Sequence, residues 1–198
     1  MRRLLFASIL APTMAIAQDA DSAANPLIDS LKAGGYVVVF RHAHTDRSRM
    51  EQSGWSLADR STQRNLSDRG AEESVGIGRA FKSLGVPVGE VLASPMFRTL
   101  ETAEHAFGRA DTTGLLRNRI TAPEARELLT RPPEPGTNRV LVTHNAYLHR
   151  QLGSAGFGQN GEGDAVVVRP GGEDGFTVLG RIRLADWTRH TAGSGLLR

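Results

Sequence analysis

Short apolar runs alternate with stretches whose apolar residues recur at helical spacing, in the order strand, helix, strand, helix for most of the chain. Residues 36–40, Tyr-Val-Val-Val-Phe, are unbroken apolar and β-branched, the pattern of a strand covered on both faces. Residues 90–93 and 139–143 read as two further short strands. Ser67-Asp68-Arg69-Gly70 opens a helix predicted to run to about Leu84, with Val75, Ile77, Ala80, Phe81 and Leu84 on its apolar side. Gly85-Val86-Pro87 stops it. Helices are also predicted over residues 97–107 and 146–152. A short one starts at Pro26, suited to a first helical position, and ends at Gly34-Gly35.

The pattern changes toward the C-terminus. Residues 165–168 and 176–184 flank Pro-Gly-Gly-Glu-Asp-Gly at 170–175 and read as two strands around a turn. Trp187 is expected to anchor the last strand on the core, with a loosely ordered tail beyond it. Residues 111–135 carry one weak helical signal, 123–129, and residues 153–163 read as a Gly-rich connection. Residues 44–65 are polar and without period, long for a plain connection, and predict a functional loop in which Trp55 covers the site. The fold class implied is α/β: a three-layer sandwich with a mostly parallel central sheet and an antiparallel edge strand.

Residues 1–17 stand apart. Met1-Arg2-Arg3 precedes an apolar stretch interrupted by Pro12 and closed by Ala15-Ile16-Ala17, the layout of a cleavable signal peptide, with an uncleaved anchor as the alternative. The expectation is export to the periplasm or beyond, leaving residues 18–198 as one domain with no stable membrane association. Removal of Arg2 and Arg3 lowers the basic residues from 24 to 22 against 21 acids, so the formal charge of +3 falls to about +1 and gives no reason to expect nucleic acid. The basic residues are mostly arginine, which favours forked anion contacts. With no cysteine there is neither a disulfide framework nor thiol chemistry.

Three of the strands end in reactive residues: Arg41-His42, Ser94 to Arg98, and Thr143-His144-Asn145. An open α/β sheet builds its site where such strand ends meet. Arginine presents a planar fork of donors to phosphoryl oxygens, and a neutral histidine can attack phosphorus through a ring nitrogen. The set points to phosphoryl chemistry.

These residues resemble the histidine phosphatase superfamily, which includes the phosphoglycerate mutases. Arg41-His42-Ala43-His44-Thr45 is similar to its Arg-His-Gly/Ala-x-Thr signature, and Ser94 with Arg98, Thr102 and Ala103 to its Ser-x-x-x-Arg-x-x-x-Thr-Ala motif. Thr143-His144-Asn145 looks like the second-histidine motif, and Leu66-Ser67-Asp68-Arg69-Gly70 like the family's helix start. The resemblance implies His42 as nucleophile, a phosphate pocket of Arg41, Arg98 and His144, a small phosphorylated substrate, and no metal or other cofactor. Residues 62–67, Thr-Gln-Arg-Asn-Leu-Ser, resemble an exported bacterial branch and make Arg64 a substrate-binding candidate. His44 stands where mutases carry glutamate, which argues against a mutase.

A leaving alcohol needs a proton, and members often use a carboxylic acid for it. Asn145 follows His144 where an acid would otherwise stand, so the candidates are Glu162, before the strand at 165, Glu124, at a helix start, or no acid at all for a substrate with a good leaving group. Two other readings use the same residues. A non-catalytic module that binds phosphorylated ligands needs only the donors. A metal-dependent hydrolase would use His42, His44 and Asp46, although Arg41 beside them would repel the cation. His105, His149 and His190 read as solvent-facing, and Glu101 as the helical ion-pair partner of Arg98. The identity of the alcohol and the oligomeric state leave no mark on the sequence.

Overall fold

The computed structural model describes residues 26–117, 123–153 and 161–192. The candidate signal peptide and its cleavage point lie outside these residues, as does most of the Gly-rich connection after Gly153. Among the described residues no helix is long and apolar enough to cross a membrane.

Six strands form one sheet in the order β3-β2-β4-β1-β5-β6. They are β1 (Val37–Arg41), β2 (Val88–Ala93), β3 (Asp111–Thr112), β4 (Asn138–Thr143), β5 (Ala165–Pro170) and β6 (Phe176–Ile182). Pairings β1/β4, β4/β2 and β2/β3 are parallel, whereas β1/β5 and β5/β6 are antiparallel. The expected α/β sandwich is present: β5 is the strand that runs against the others, and β6 beside it at the edge runs in the direction of β1. β3 is an addition: two exposed residues, too short for any periodic signal.

Alternation along β1 divides the core between the two faces of the sheet. Val38 and Phe40 join a cluster with Ile28 and Leu31 of α1 (Pro26–Leu31), Ile77, Ala80 and Phe81 of α2 (Asp68–Leu84), and Ala103 of α3 (Phe97–Phe107). Val37 and Val39 face the opposite cluster, with Ala125, Leu128 and Leu129 of α4 (Pro123–Thr130) and Tyr147, Leu148 and Leu152 of α5 (Asn145–Leu152).

α2 begins and ends where its sequence directs. The Ser67 hydroxyl accepts from the Gly70 N–H, satisfying one free donor of the first turn, and Gly85 takes the left-handed conformation at φ 68°. The C-terminus departs from expectation. Trp187 lies on a helix, α6 (Leu184–Ala192), not on the last strand, and the chain beyond it continues helical to Ala192. Leu184 and Trp187, three residues apart, turn toward the same cluster as Phe81, and α6 packs along α2.

The polar loop between β1 and α2 is held at several points. Its neck closes through an antiparallel bridge between Thr45 and Leu66. α3 has Met96 at its N-cap, which supplies no side-chain bond, and buried Gln63 accepts from the Phe97 N–H instead, at 3.1 Å. Arg60, in a single 3-10 turn (Arg60–Thr62), pairs with Glu101 at 2.5 Å. Glu101 is therefore not the partner of Arg98.

Candidate active site

The register carries the carboxyl ends of β1, β2 and β4 to one edge. Arg41 pairs with Thr143, and Ala93 with Val142. Just beyond, the His42 N–H donates to the Thr143 carbonyl and the Ser94 N–H to the Val142 carbonyl, each at 3.0 Å. Because β5 runs antiparallel, its beginning reaches the same edge. The Gly163 N–H donates to the His42 carbonyl and the Arg41 N–H to that of Asp164, both at 3.0 Å. Segments remote in sequence thus meet at one place.

They surround a cavity of about 620 Å³ lined by Arg41, His42, Arg64, Arg98, His144, Asn145, Ala146, His149 and Arg150. Of the sequence-derived set, Arg41, His42, Arg64, Arg98 and His144 line the cavity together, whereas Glu162 is not in its lining and stands behind Arg41. Both histidine rings are buried, with centroids 5.6 Å apart at 65°. His42 Nδ1 lies 2.9 Å from the Ala43 carbonyl oxygen. A carbonyl only accepts, so Nδ1 carries the proton and Nε2 keeps its lone pair. His144 Nε2 is 2.9 Å from the Ser94 hydroxyl. Among the described residues, buried Nδ1 of His144 and Nε of Arg64 and Arg98 have no hydrogen-bond partner.

Burial pushes His42 well below the usual histidine range; the bond to the Ala43 carbonyl opposes it, and nearby His144, Arg98 and Arg41 add to the lowering. His144 is brought down to about 3, first by burial and then by Arg98, Arg64, Arg41 and Arg117. Both rings are consequently neutral through the mildly acidic range, where a free imidazole would be charged.

Two carboxylates touch the arginines. Glu162, its side chain 7% exposed, accepts from the Thr45 hydroxyl at 3.0 Å and stands 3.4 Å from Arg41 and 3.6 Å from Arg47. Glu51, from the long loop, receives a bond of 2.6 Å from Arg98 Nη1. Glu51 carried no sequence signal, since its approach depends on how Gln63 and Arg60 dock the loop on α3. Glu124 is exposed in the first turn of α4 and does not line the cavity; neither does partly buried Trp55.

No protein-family model matches the chain, and no curated protein matches it in sequence. Solved structures match it in shape. The protein histidine phosphatase SixA, complexed with tungstate, has a TM-score of 0.56 at 15% identity, covering 76% of this chain and 98% of that one. A histidine-to-alanine mutant of phosphoserine phosphatase from Entamoeba histolytica, bound to phosphoserine, has a TM-score of 0.54 at 10% identity, with coverage of 76% and 98%. The fold is that of the histidine phosphatases. A mycobacterial glucosyl-3-phosphoglycerate phosphatase complexed with VO3 is also similar, with a TM-score of 0.50 at 15% identity over 74% of this chain and 98% of that one.

On this histidine-phosphatase fold, the residues of the metal reading diverge. His42 is tied to the Ala43 carbonyl, His44 Nδ1 lies 2.7 Å from the Ser67 hydroxyl, and the Asp46 carboxylate accepts from Ser48. Among the described residues no three histidine or carboxylate groups stand close enough to hold a metal ion. His149 is exposed as expected, but into the cavity, as is Arg150 beside it.

Proposed function

We propose that this protein hydrolyses phosphomonoesters without a metal, through a phosphohistidine on His42. One observation carries the reading: the Ala43 carbonyl fixes the proton on Nδ1 and leaves the Nε2 lone pair in a cavity lined by Arg41, Arg64 and Arg98. The arginine forks receive the phosphoryl oxygens and stabilise the charge spread over them in the transition state. Nε2 forms a bond to phosphorus as the bond to the alcohol oxygen breaks. The departing oxygen takes a proton from the carboxyl group of Glu162. Water then attacks phosphorus, its proton passes to the same carboxylate, His42 leaves, and orthophosphate is released. Removal of residues 1–17 on export belongs to the same reading, and an N-terminus at Gln18 in the exported protein is the check.

The test is hydrolysis of para-nitrophenyl phosphate and of a simple alkyl phosphate, each with and without EDTA. Both activities are expected to survive the chelator; loss with EDTA would overturn the metal-independent mechanism. Glu162→Gln separates the acid from the pocket. An alkoxide needs a proton to leave and nitrophenolate does not, so the variant should lose about 10²-fold on the alkyl phosphate and much less on the nitrophenyl ester. Equal losses on both would make Glu162 only the counter-ion of Arg41.

The same cavity would also suit a module that binds phosphate without turning it over. Glu51, already bonded to Arg98, has to give way to any phosphate that takes both arms of that guanidinium. Absence of turnover, with phosphate binding retained, would favour that second reading.

A further inference from the structure

The cavity is larger and more cationic than one phosphoryl group requires. Its volume of about 620 Å³ lies in the range that encloses a whole small ligand. Arg41, Arg64 and Arg98 suffice for the three oxygens of a phosphoryl group in reach of His42. The remaining charge stands elsewhere, on α5.

That helix presents two faces of different character. Tyr147, Leu148 and Leu152 are buried in the core. Asn145, Ala146, His149 and Arg150, at spacings of three to five residues or adjacent, line the cavity. Asn145 and Ala146 lie next to His144, whereas His149 and Arg150 come one helical turn later, about 5.4 Å further along the axis. No acidic residue is among the described residues of the lining, and Arg117 adds its field from nearby, being among the charges that depress His144.

We infer that the site takes phosphomonoesters carrying a second anionic group, carboxylate or phosphate, on the alcohol portion, with Arg150 and His149 receiving that group. The inference rests on the phosphatase reading of the same cavity and names its substrate class. Arg150 can meet either anion through its fork, and His149 contributes a donor from the adjacent position. A neutral alcohol would leave this end of the cavity filled with water.

Three substrates of equal chain length decide it: propyl phosphate, 3-phosphooxypropanoate and propane-1,3-diyl bisphosphate. Charge-assisted hydrogen bonds of this kind correspond to an advantage of about tenfold or more in kcat/KM for the charged substrates. In Arg150→Gln the charged substrates should fall to within about threefold of propyl phosphate, Arg150→Lys should retain part of the difference, and 0.5 M salt should shrink it. Both residues are exposed on a helix surface, so the variants should fold. A gain for the bisphosphate alone assigns the station to phosphate; a gain for both assigns it to anions generally. Equal kcat/KM for all three in the native protein, or an advantage that survives Arg150→Gln combined with His149→Gln, would overturn the inference. If none of the three, nor para-nitrophenyl phosphate, is hydrolysed, the phosphatase reading fails. Calorimetric binding of the bisphosphate against orthophosphate then decides alone, with tenfold tighter binding expected and equal binding overturning the station.

Discussion

His42→Ala is expected to lower the turnover of para-nitrophenyl phosphate by at least about 10⁴-fold, the scale seen when an enzyme loses its nucleophile, and to abolish transfer of labelled phosphate to the protein. The size of the effect follows from the ring's situation. It is buried at the end of β1, its Nδ1 is occupied by the Ala43 carbonyl, and the neighbouring His144 turns its Nε2 to Ser94. Burial and the neighbouring arginines keep the ring uncharged, so the native rate should hold as pH falls through 6.5, where an ordinary histidine would protonate and lose its lone pair. Arg41, Arg64 and Arg98 remain in the variant, so binding of inorganic phosphate should persist while chemistry stops. Full activity in His42→Ala would sink the phosphohistidine mechanism. Retained activity with a lowered phosphate affinity would instead place His42 among the ligands of the anion.

Trp187→Ala should cost about 3–5 kcal/mol of stability. The indole is fully buried and stacks on Phe81 with centroids 4.8 Å apart; Phe40 lies 5.9 Å away. Among the described residues its Nε1 has no hydrogen-bond partner, so truncation removes packing and no polar contact. What remains is a cavity between β1, α2 and α6, beneath the strand that carries Arg41 and His42. A urea midpoint that falls with unchanged m-value is the expected signature. A loss below about 1 kcal/mol would mean that the cluster closes over the gap, or that α6 adds little to the core.

The sequence was legible wherever a local rule governs the outcome. Ser67 and Gly85 mark the ends of α2 because capping and left-handed backbone are decided within a few residues. The three reactive strand ends were visible because buried parallel strands are unbroken apolar runs. Illegible features depend on what docks against what. Arg98 and Glu101 sit at helical spacing, yet Glu51 and Arg60 of the long loop take them as partners. α6 has Leu184 and Trp187 as its large apolar residues, too little to reveal a helix until α2 is beside it. His149 and Arg150 have the appearance of solvated helix residues, and the placement of α5 alone puts them in the wall of the cavity.

The strand order gives the protein a further property. β1 lies inside the sheet, between β4 and β5, so His42 and His144 issue from neighbouring strands whose amides are bonded on both sides. Such strands open to hydrogen exchange only at energies near that of global unfolding, while loops and edge strands open far more readily. The long loop, or β3 at the far edge, can therefore fluctuate without separating the two rings. In a partly denatured sample the two histidine rings would stay together as long as the sheet does, and the contribution lost first would be that of Arg64, which the loop carries.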